Sequence, residues 1–461
     1  MNRLSHKAMR TWLDLGPRFL PFADAATSEL PLSRLLRLSL FQVSVGMALV
    51  LLIGTLNRVM IVELGVPASI VAIMISMPLI AAPFRAVIGF RSDNHRSALG
   101  WRRVPYIWRG TMVQFGGLAM MPFALLVLSG TGEASAWPVW VGWLGAAAAF
   151  LFTGAGLHTI QTVGLALATD LAPVESQPKV VGLMYVMLLL GMVISAVIFG
   201  ILLTDFTPMK LVQVIQGSAV MTIVLNVVAL WKQEGRNPVR SAQTREAPSF
   251  ARSWQRFIAG GNAQRRLAAV GLGTMAFSME DVLLEPYGGQ VLHLSVSTTT
   301  ALTASLAIGG LAGFALASRV LTRGTDPFRM ACAGALVGIP AFMSVILAAS
   351  FGSAVMFGGG ALFIGFGAGM FGHGTLTATM NLAPRGQSGL ALGAWGAVQA
   401  SAAGVAVAMG GILRDVVASY YDEMGPAFGY TAVYALEIVL LLATFTAMVP
   451  LLRRGEVAAV V

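Results

Sequence analysis

Twelve runs of about 20 or more predominantly apolar residues, each closed by a short polar, Pro- or Gly-bearing turn, succeed one another between residues 36 and 451. A helix needs about 20 such residues to cross roughly 30 Å of hydrocarbon. The runs lie near 36–57, 70–90, 104–129, 138–169, 179–203, 211–231, 267–287, 299–321, 328–350, 353–382, 387–413 and 429–451. They do not alternate with a period of two, so they predict helices and not barrel strands. Only 11% of residues are charged, against about 25% in soluble domains, and mean hydropathy is +0.77. An all-α membrane protein with twelve transmembrane helices is the fold class this pattern predicts. Residues 1–35 are mixed polar and hold Pro17, Pro21 and Pro31, so no cleavable leader is expected there.

The basic residues orient the chain. With the N-terminus placed in the cytoplasm, all of the 30 Lys and Arg except Arg58, Lys210 and Arg414 fall in inner segments or at the inner ends of spans. Cytoplasmic enrichment of Lys and Arg is the usual topology signal. Twelve spans return the C-terminus, with Arg453 and Arg454, to the same side. The net charge of +10 is thereby a matter of topology and anionic lipid, and nucleic acid is not an expected partner. Cys332 is the single cysteine. It stands in an apolar run and is expected to be a small packing residue.

The chain repeats itself. ATDLAPVESQPKVVG (168–182) is similar to ATMNLAPRGQSGLALG (378–393), and a weaker echo joins VELGVPASIV (62–71) with VLHLSVSTTT (291–300). Two six-span halves are expected, 36–231 and 267–452, joined by a basic linker over 232–266 and flanked by inner tails at 1–35 and 453–461. Within the linker, Phe250, Trp254, Phe257 and Ile258 share a helical face beside Arg252 and Arg256. A helix lying in the membrane interface and a plain linker both fit that spacing.

The connection between spans 2 and 3, GFRSDNHRSALGWRR (89–103), resembles the corresponding loop signature of the major facilitator superfamily. Gly89 would allow close helix approach. Asp93 would sit at a helix N-terminus, and Arg96, Arg102 and Arg103 would pair with carboxylates or phosphates. The expected outcome is a latch between the halves; anchorage on headgroups is the plainer alternative. The second-half counterpart, GFALASRVLTRG (313–324), lacks the Asp.

Longer motifs narrow the resemblance. TLNRVMIVELGVP (55–67), APFRAVIGFRSDNHRSALGWRRVPYIW (82–108), GLALATDLAP (164–173) and FSMEDVLLEPYGGQVL (277–292) resemble the PucC/LhaA family of purple photosynthetic bacteria, the bacteriochlorophyll-delivery branch of the major facilitator superfamily. The PucC side is the nearer one. The resemblance implies two pseudo-symmetric six-helix bundles and a location in the bacterial inner (intracytoplasmic) membrane. It further implies a non-enzymatic role in assembling light-harvesting antenna complexes. The implied partners are antenna alpha and beta polypeptides, with bacteriochlorophyll synthase as another. The implied cofactor is bacteriochlorophyll, with carotenoid beside it.

Charges inside a bilayer cost about 2.5–3.5 kcal/mol each on insertion scales, so each needs a reason. Span 7 carries Glu280, Asp281 and Glu285 towards its outer end, and Arg58 ends span 1, the repeat equivalent of span 7. Three readings fit: an ion pair between Arg58 and one of these acids that closes the outer side, a proton-coupling site, or interfacial carboxylates reaching water. Arg85 lies just inside the exit of span 2, where snorkelling to headgroups would accommodate it. His158 in span 4 and His373 in span 10 are candidate ligands for pigment magnesium, packing being the alternative. Ala361, Gly365 and Gly369 form a small-residue ladder beside His373 that admits either a helix or a flat macrocycle. Gln161, Thr162, Thr375 and Thr377 could bond a ring substituent or backbone carbonyls. GAGMFG (367–372) matches a dinucleotide fingerprint only formally, since it follows no strand. A proton-coupled transporter of a small or amphipathic solute is the competing function.

Overall fold

The computed structural model describes residues 25–27, 30–80, 83–93, 95, 100–130, 132–173, 176–235, 263–381, 388–421, 423 and 425–452. Arg96, most of the linker including Phe250 to Ile258, and the tail after Leu452 lie outside the described residues. The transmembrane helices are α1 (Leu32–Glu63), α2 (Ala68–Ile80, then Pro83–Asp93), α3 (Val104–Ser129), α4 (Val139–Leu171), α5 (Gln177–Leu202) and α6 (Pro208–Leu230) in the first half. The second half has α7 (Ala263–Gln290, in three pieces), α8 (Val296–Leu321), α9 (Pro327–Phe351), α10 (Ala354–Asn381), α11 (Ser388–Tyr420) and α12 (Ala427–Leu452). Among the described residues, eleven helices are long and apolar enough to cross a membrane, and the two pieces of α2 occupy the place of the twelfth. The chain is a multi-pass membrane protein. The side from which α1 starts is called the basic face below, and the opposite side the far face.

Local sequence explains many helix ends. Thr207, Ser295 and Asp326 accept backbone N–H groups of Lys210, Thr298 and Phe328 at the starts of α6, α8 and α9, satisfying donors that the helix leaves open. Gly130 and Gly352 end α3 and α9 in the left-handed conformation, with φ of 60° and 57°, as helix stops commonly require.

Packing follows the repeat. In each half the first span packs on the fifth and sixth, the third on the fourth and sixth, and the second on the fourth. Between the halves α2 lies on α11, and α5 on α8; exchanging the halves turns one of these pairs into the other. The duplicated close crossings are glycine-based. Gly110 of α3 and Gly156 of α4 meet, a Cβ on Gly156 falling 2.6 Å from the Gly110 carbonyl. Gly334 of α9 and Gly367 of α10 meet likewise, at 2.7 Å. Aligned on Leu-Ala-Pro, Gly156 corresponds to Gly367. α1 and α7 form the centre: 83% of the most apolar window is buried in α1 and 67% in α7, against 28% in α12. Phe123, Leu144, Ile201, Val355 and Val439 project from the outer helix faces, as lipid-facing residues must.

Both central helices are irregular. α1 is π-helical over Val50–Leu56 and Val59–Glu63. α7 is α-helical over Ala263–Ala276, passes through a 3-10 turn at Glu280–Val282, and resumes at Leu284–Gln290. Irregular backbone at membrane depth is tolerated where it is buried in protein. The two irregularities touch, Asn57 Nδ2 donating to the Val282 carbonyl at 2.8 Å.

From this depth to the far face the halves are tied together. Thr55 and Thr300 hydroxyls lie 3.4 Å apart, Arg58 Nη2 donates to the Leu294 carbonyl (3.1 Å), and Ser297 donates to the Gly200 carbonyl (2.7 Å). The Ser69 amide donates to Asp415 (2.7 Å).

Candidate functional site

The break in α7 places its three acids around one chamber. Glu280, Asp281 and Glu285 line a cavity of about 190 Å³ together with Leu49, Ile53, Met192 and Thr303, from α1, α5 and α8. The chamber therefore lies between the halves. Glu285 is 2% exposed and accepts the Thr303 hydroxyl. Gly54 of α1 faces it; a Cβ there would overlap the Glu285 carboxylate. Glu280 is equally buried. Its amide, exposed by the helix break, donates to Glu437 Oε1 of α12 at 2.7 Å. Among the described residues, one carboxylate oxygen each on Glu280, Glu285 and Glu437 has no hydrogen-bond partner. Such oxygens in apolar surroundings are costly unless a proton or cation meets them.

Arg58 does not pair with these acids. Its salt bridge is to Glu63 of its own helix, because π winding brings residues five apart together. It still joins the halves, through the Leu294 carbonyl. Glu437 escaped the sequence reading, although a lone acid in the apolar run YALEIVLLL was the available signal.

Arg85 does not snorkel to headgroups. It turns across to α4, where Nε donates to Thr162 (2.9 Å) and Nη2 to Gln161 (2.6 Å). His158 and Gln161, both 9% exposed, stand one turn apart on α4, and His158 Nδ1 has no hydrogen-bond partner among the described residues. His373 packs its ring on Phe314 of α8, centroids 4.3 Å apart. The Trp395 indole donates to Thr375 (3.2 Å).

The ladder on α10 takes a helix and not a macrocycle. A Cβ on Gly365 would overlap the Leu306 carbonyl, and one on Gly369 the Gly310 carbonyl. Both positions are filled by the backbone of α8. Gly365 and Gly369 therefore do not fit a pigment, and the 190 Å³ chamber is below the roughly 300–1,000 Å³ of pockets for drug-sized ligands. Cys332 is buried in α9, as expected of a packing residue.

The described residues at the end of the loop between α2 and α3 bond to their own half. Arg103 Nε donates to Asp170 at the end of α4 (3.0 Å) and Nη1 to Ser92 (2.6 Å); Arg102 lies 3.5 Å from Asp170. Glu234, just past α6, accepts the backbone N–H groups of Arg102, Arg103 and Val104 at 2.8, 3.0 and 2.9 Å. A carboxylate thus caps α3, where the helix dipole favours it. Among the described residues, these bonds lie inside the first half, and the pairing of Arg102 and Arg103 with a carboxylate is as expected. Gly89 approaches Thr162 at 3.8 Å; the Asp93 side chain and Arg96 lie outside the described residues. Glu234→Ala is expected to lower stability by about 1–2 kcal/mol, read as a reduced melting temperature in detergent, with Glu234→Gln intermediate.

Comparison with known proteins follows the same outline. The family described as PUCC protein matches residues 55–456. Protein PucC of Rhodovulum sulfidophilum is 64% identical over 420 residues, 90% of this chain and 92% of that one. Protein PucC of Cereibacter sphaeroides is 58% identical over 99% of both chains. A Rhodobacter capsulatus protein named bacteriochlorophyll synthase 44.5 kDa chain is 25% identical over 92% of this chain and 99% of its own. Among solved structures, a bacterial homologue of the human lysosomal transporter Spinster, inward-facing and unoccupied, superposes with a TM-score of 0.64. It is 15% identical and covers 91% of this chain and 97% of its own; that likeness concerns the fold, which is of the major facilitator type.

Proposed function

The chain belongs to the PUCC protein family, and from that premise we propose that it is a non-enzymatic assembly factor for bacterial light-harvesting antenna complexes. What carries the reading is the extent of the likeness, which runs through nearly the whole chain at 64% and 58% identity and takes in every motif of the resemblance. The protein binds antenna alpha and beta polypeptides laterally, along the apolar faces from which Phe123, Leu144 and Ile201 project. It meets bacteriochlorophyll, and carotenoid with it, at that same lipid-facing surface, because the glycine ladder inside the bundle is taken by α8. The name of the 25% identical relative supports a place beside bacteriochlorophyll synthesis. The basic face lies in the cytoplasm by its Lys and Arg content, in the inner (intracytoplasmic) membrane.

One observation favours a second reading. The unpartnered carboxylate oxygens around the chamber suit a proton-coupled transporter of a small or amphipathic solute, with Glu280, Asp281 or Glu285 taking the proton.

Affinity purification from pigmented cells in mild detergent separates the two. Antenna polypeptides and chlorin absorption in the purified fraction are expected for the assembly factor. A colourless protein free of antenna polypeptides, but with pH-driven uptake in proteoliposomes, would replace it with the transporter.

A further inference from the structure

The two halves are built alike, yet the crossing between the second and fourth helices differs between them. In the second half α8 and α10 close on glycines. A Cβ on Gly309 would overlap the Leu362 carbonyl, and Gly365 and Gly369 are equally tight. In the first half the matching crossing begins the same way, Gly154 of α4 receiving the ring of Pro78 of α2. One turn on, it changes character. Aligned on Leu-Ala-Pro, His158 corresponds to Gly369 and Gln161 to Gly372. Two glycine positions of one half are His and Gln in the other, and Arg85 reaches across from the second helix to Gln161. The duplicate carries glycine at these two positions, so the crossing itself does not require polar side chains there.

The polar group is also incomplete. Arg85 has no carboxylate partner among the described residues and spends its bonds on the neutral Thr162 and Gln161. Those bonds use Nε and Nη2, leaving the Nη1 edge of a partly exposed side chain. His158 is nine-tenths buried with Nδ1 unpartnered, and Arg85 and Tyr185 of α5 lie within electrostatic reach of each other. Gln161, whose oxygen is held by Arg85, keeps its amide donors. A cation whose bonds go only to neutral acceptors is costly in a membrane until an anion meets it. Guanidinium is well shaped for planar or tetrahedral oxyanions. Arg85 stands eight residues before Asp93, about 12 Å along the helix, beside the exposed Phe84 and Ile80. Whatever brings an anion to that depth carries apolar surface with it.

We propose that Arg85, His158 and Gln161 form a binding site for an oxyanion, carboxylate or phosphate, borne on an amphiphilic molecule. The site is a property of the first half alone, and its test is independent of the antenna role.

The purified full chain in an uncharged detergent is titrated, by native mass spectrometry, with oleate, with dioleoylphosphatidylglycerol and with uncharged monooleoylglycerol. At least one of the two anions is expected to bind about tenfold or more tightly than monooleoylglycerol, and which one binds identifies the source as a carboxylate amphiphile or a lipid headgroup. Arg85→Gln is expected to remove that preference, and His158→Ala to reduce it by about threefold or more. If Arg85→Gln does not yield folded protein, Arg85→Lys keeps the charge but loses the fork and is expected to bind several-fold more weakly. Equal binding of all three probes, or anion binding unchanged in the Arg85 variants, overturns the proposal.

Discussion

Gly365→Ala is expected to leave little folded protein. The added methyl would overlap the Leu306 carbonyl, and a backbone carbonyl in a packed helix has no rotamer through which to yield. Overpacking of this kind costs about 3 kcal/mol or more when neither side can move, a large fraction of ordinary stability. Gly372→Ala on the same helix is the control, since nothing lies within 4 Å of a Cβ there. It removes a flexible residue from a helix and is expected to be neutral or stabilising by up to about 1 kcal/mol. Size-exclusion profiles and melting temperatures of the two variants in one detergent make the comparison. Equal behaviour would mean that α8 and α10 are not in contact at this crossing.

Glu437→Leu is expected to cost about 2–4 kcal/mol, whereas Glu437→Gln should cost less than about 1 kcal/mol. The difference lies in what Glu437 does. Its oxygen accepts the Glu280 amide, which the interruption of α7 has deprived of a helical partner. Leucine leaves that donor buried and unpaired; glutamine retains an acceptor. Thermal melts rank the variants, and hydrogen exchange should show faster loss of protection at Glu280 in Glu437→Leu alone. If glutamine is as damaging as leucine, the site needs a titratable group and not merely an acceptor.

The span positions were legible because each depends on local signals. An apolar run ended by Gly130, or opened by Thr207-Pro208, carries its own boundary. The duplication was legible because Pro and polar positions recur in register, and Gly156 and Gly367 then proved to make equivalent contacts. The candidate site was less legible, for three separate reasons. Arg58 was expected to pair with an acid of span 7, but α1 is π-wound and Glu63 lies on the same face. The ladder of Ala361, Gly365 and Gly369 suits a helix or a flat ring equally as sequence, and only the position of α8 decides. Glu234 and Glu437 act on residues more than 100 positions away, on backbone donors that carry no side-chain signature. Acceptors for such donors are chosen by packing, and a linear reading has nothing to weigh them by.

The meeting of the π-wound α1 with the interrupted α7 bears on how the molecule can bend. Each of these helices has already forgone part of its regular ladder at the same depth, so a few bonds exchanged there absorb a tilt that intact helices would resist. The glycine crossings inside each half offer no such slack. A tilt of one half against the other can thus be taken up at the seam. A polypeptide pressing on the flank of one half would be felt as strain at the seam, where the buried acids are.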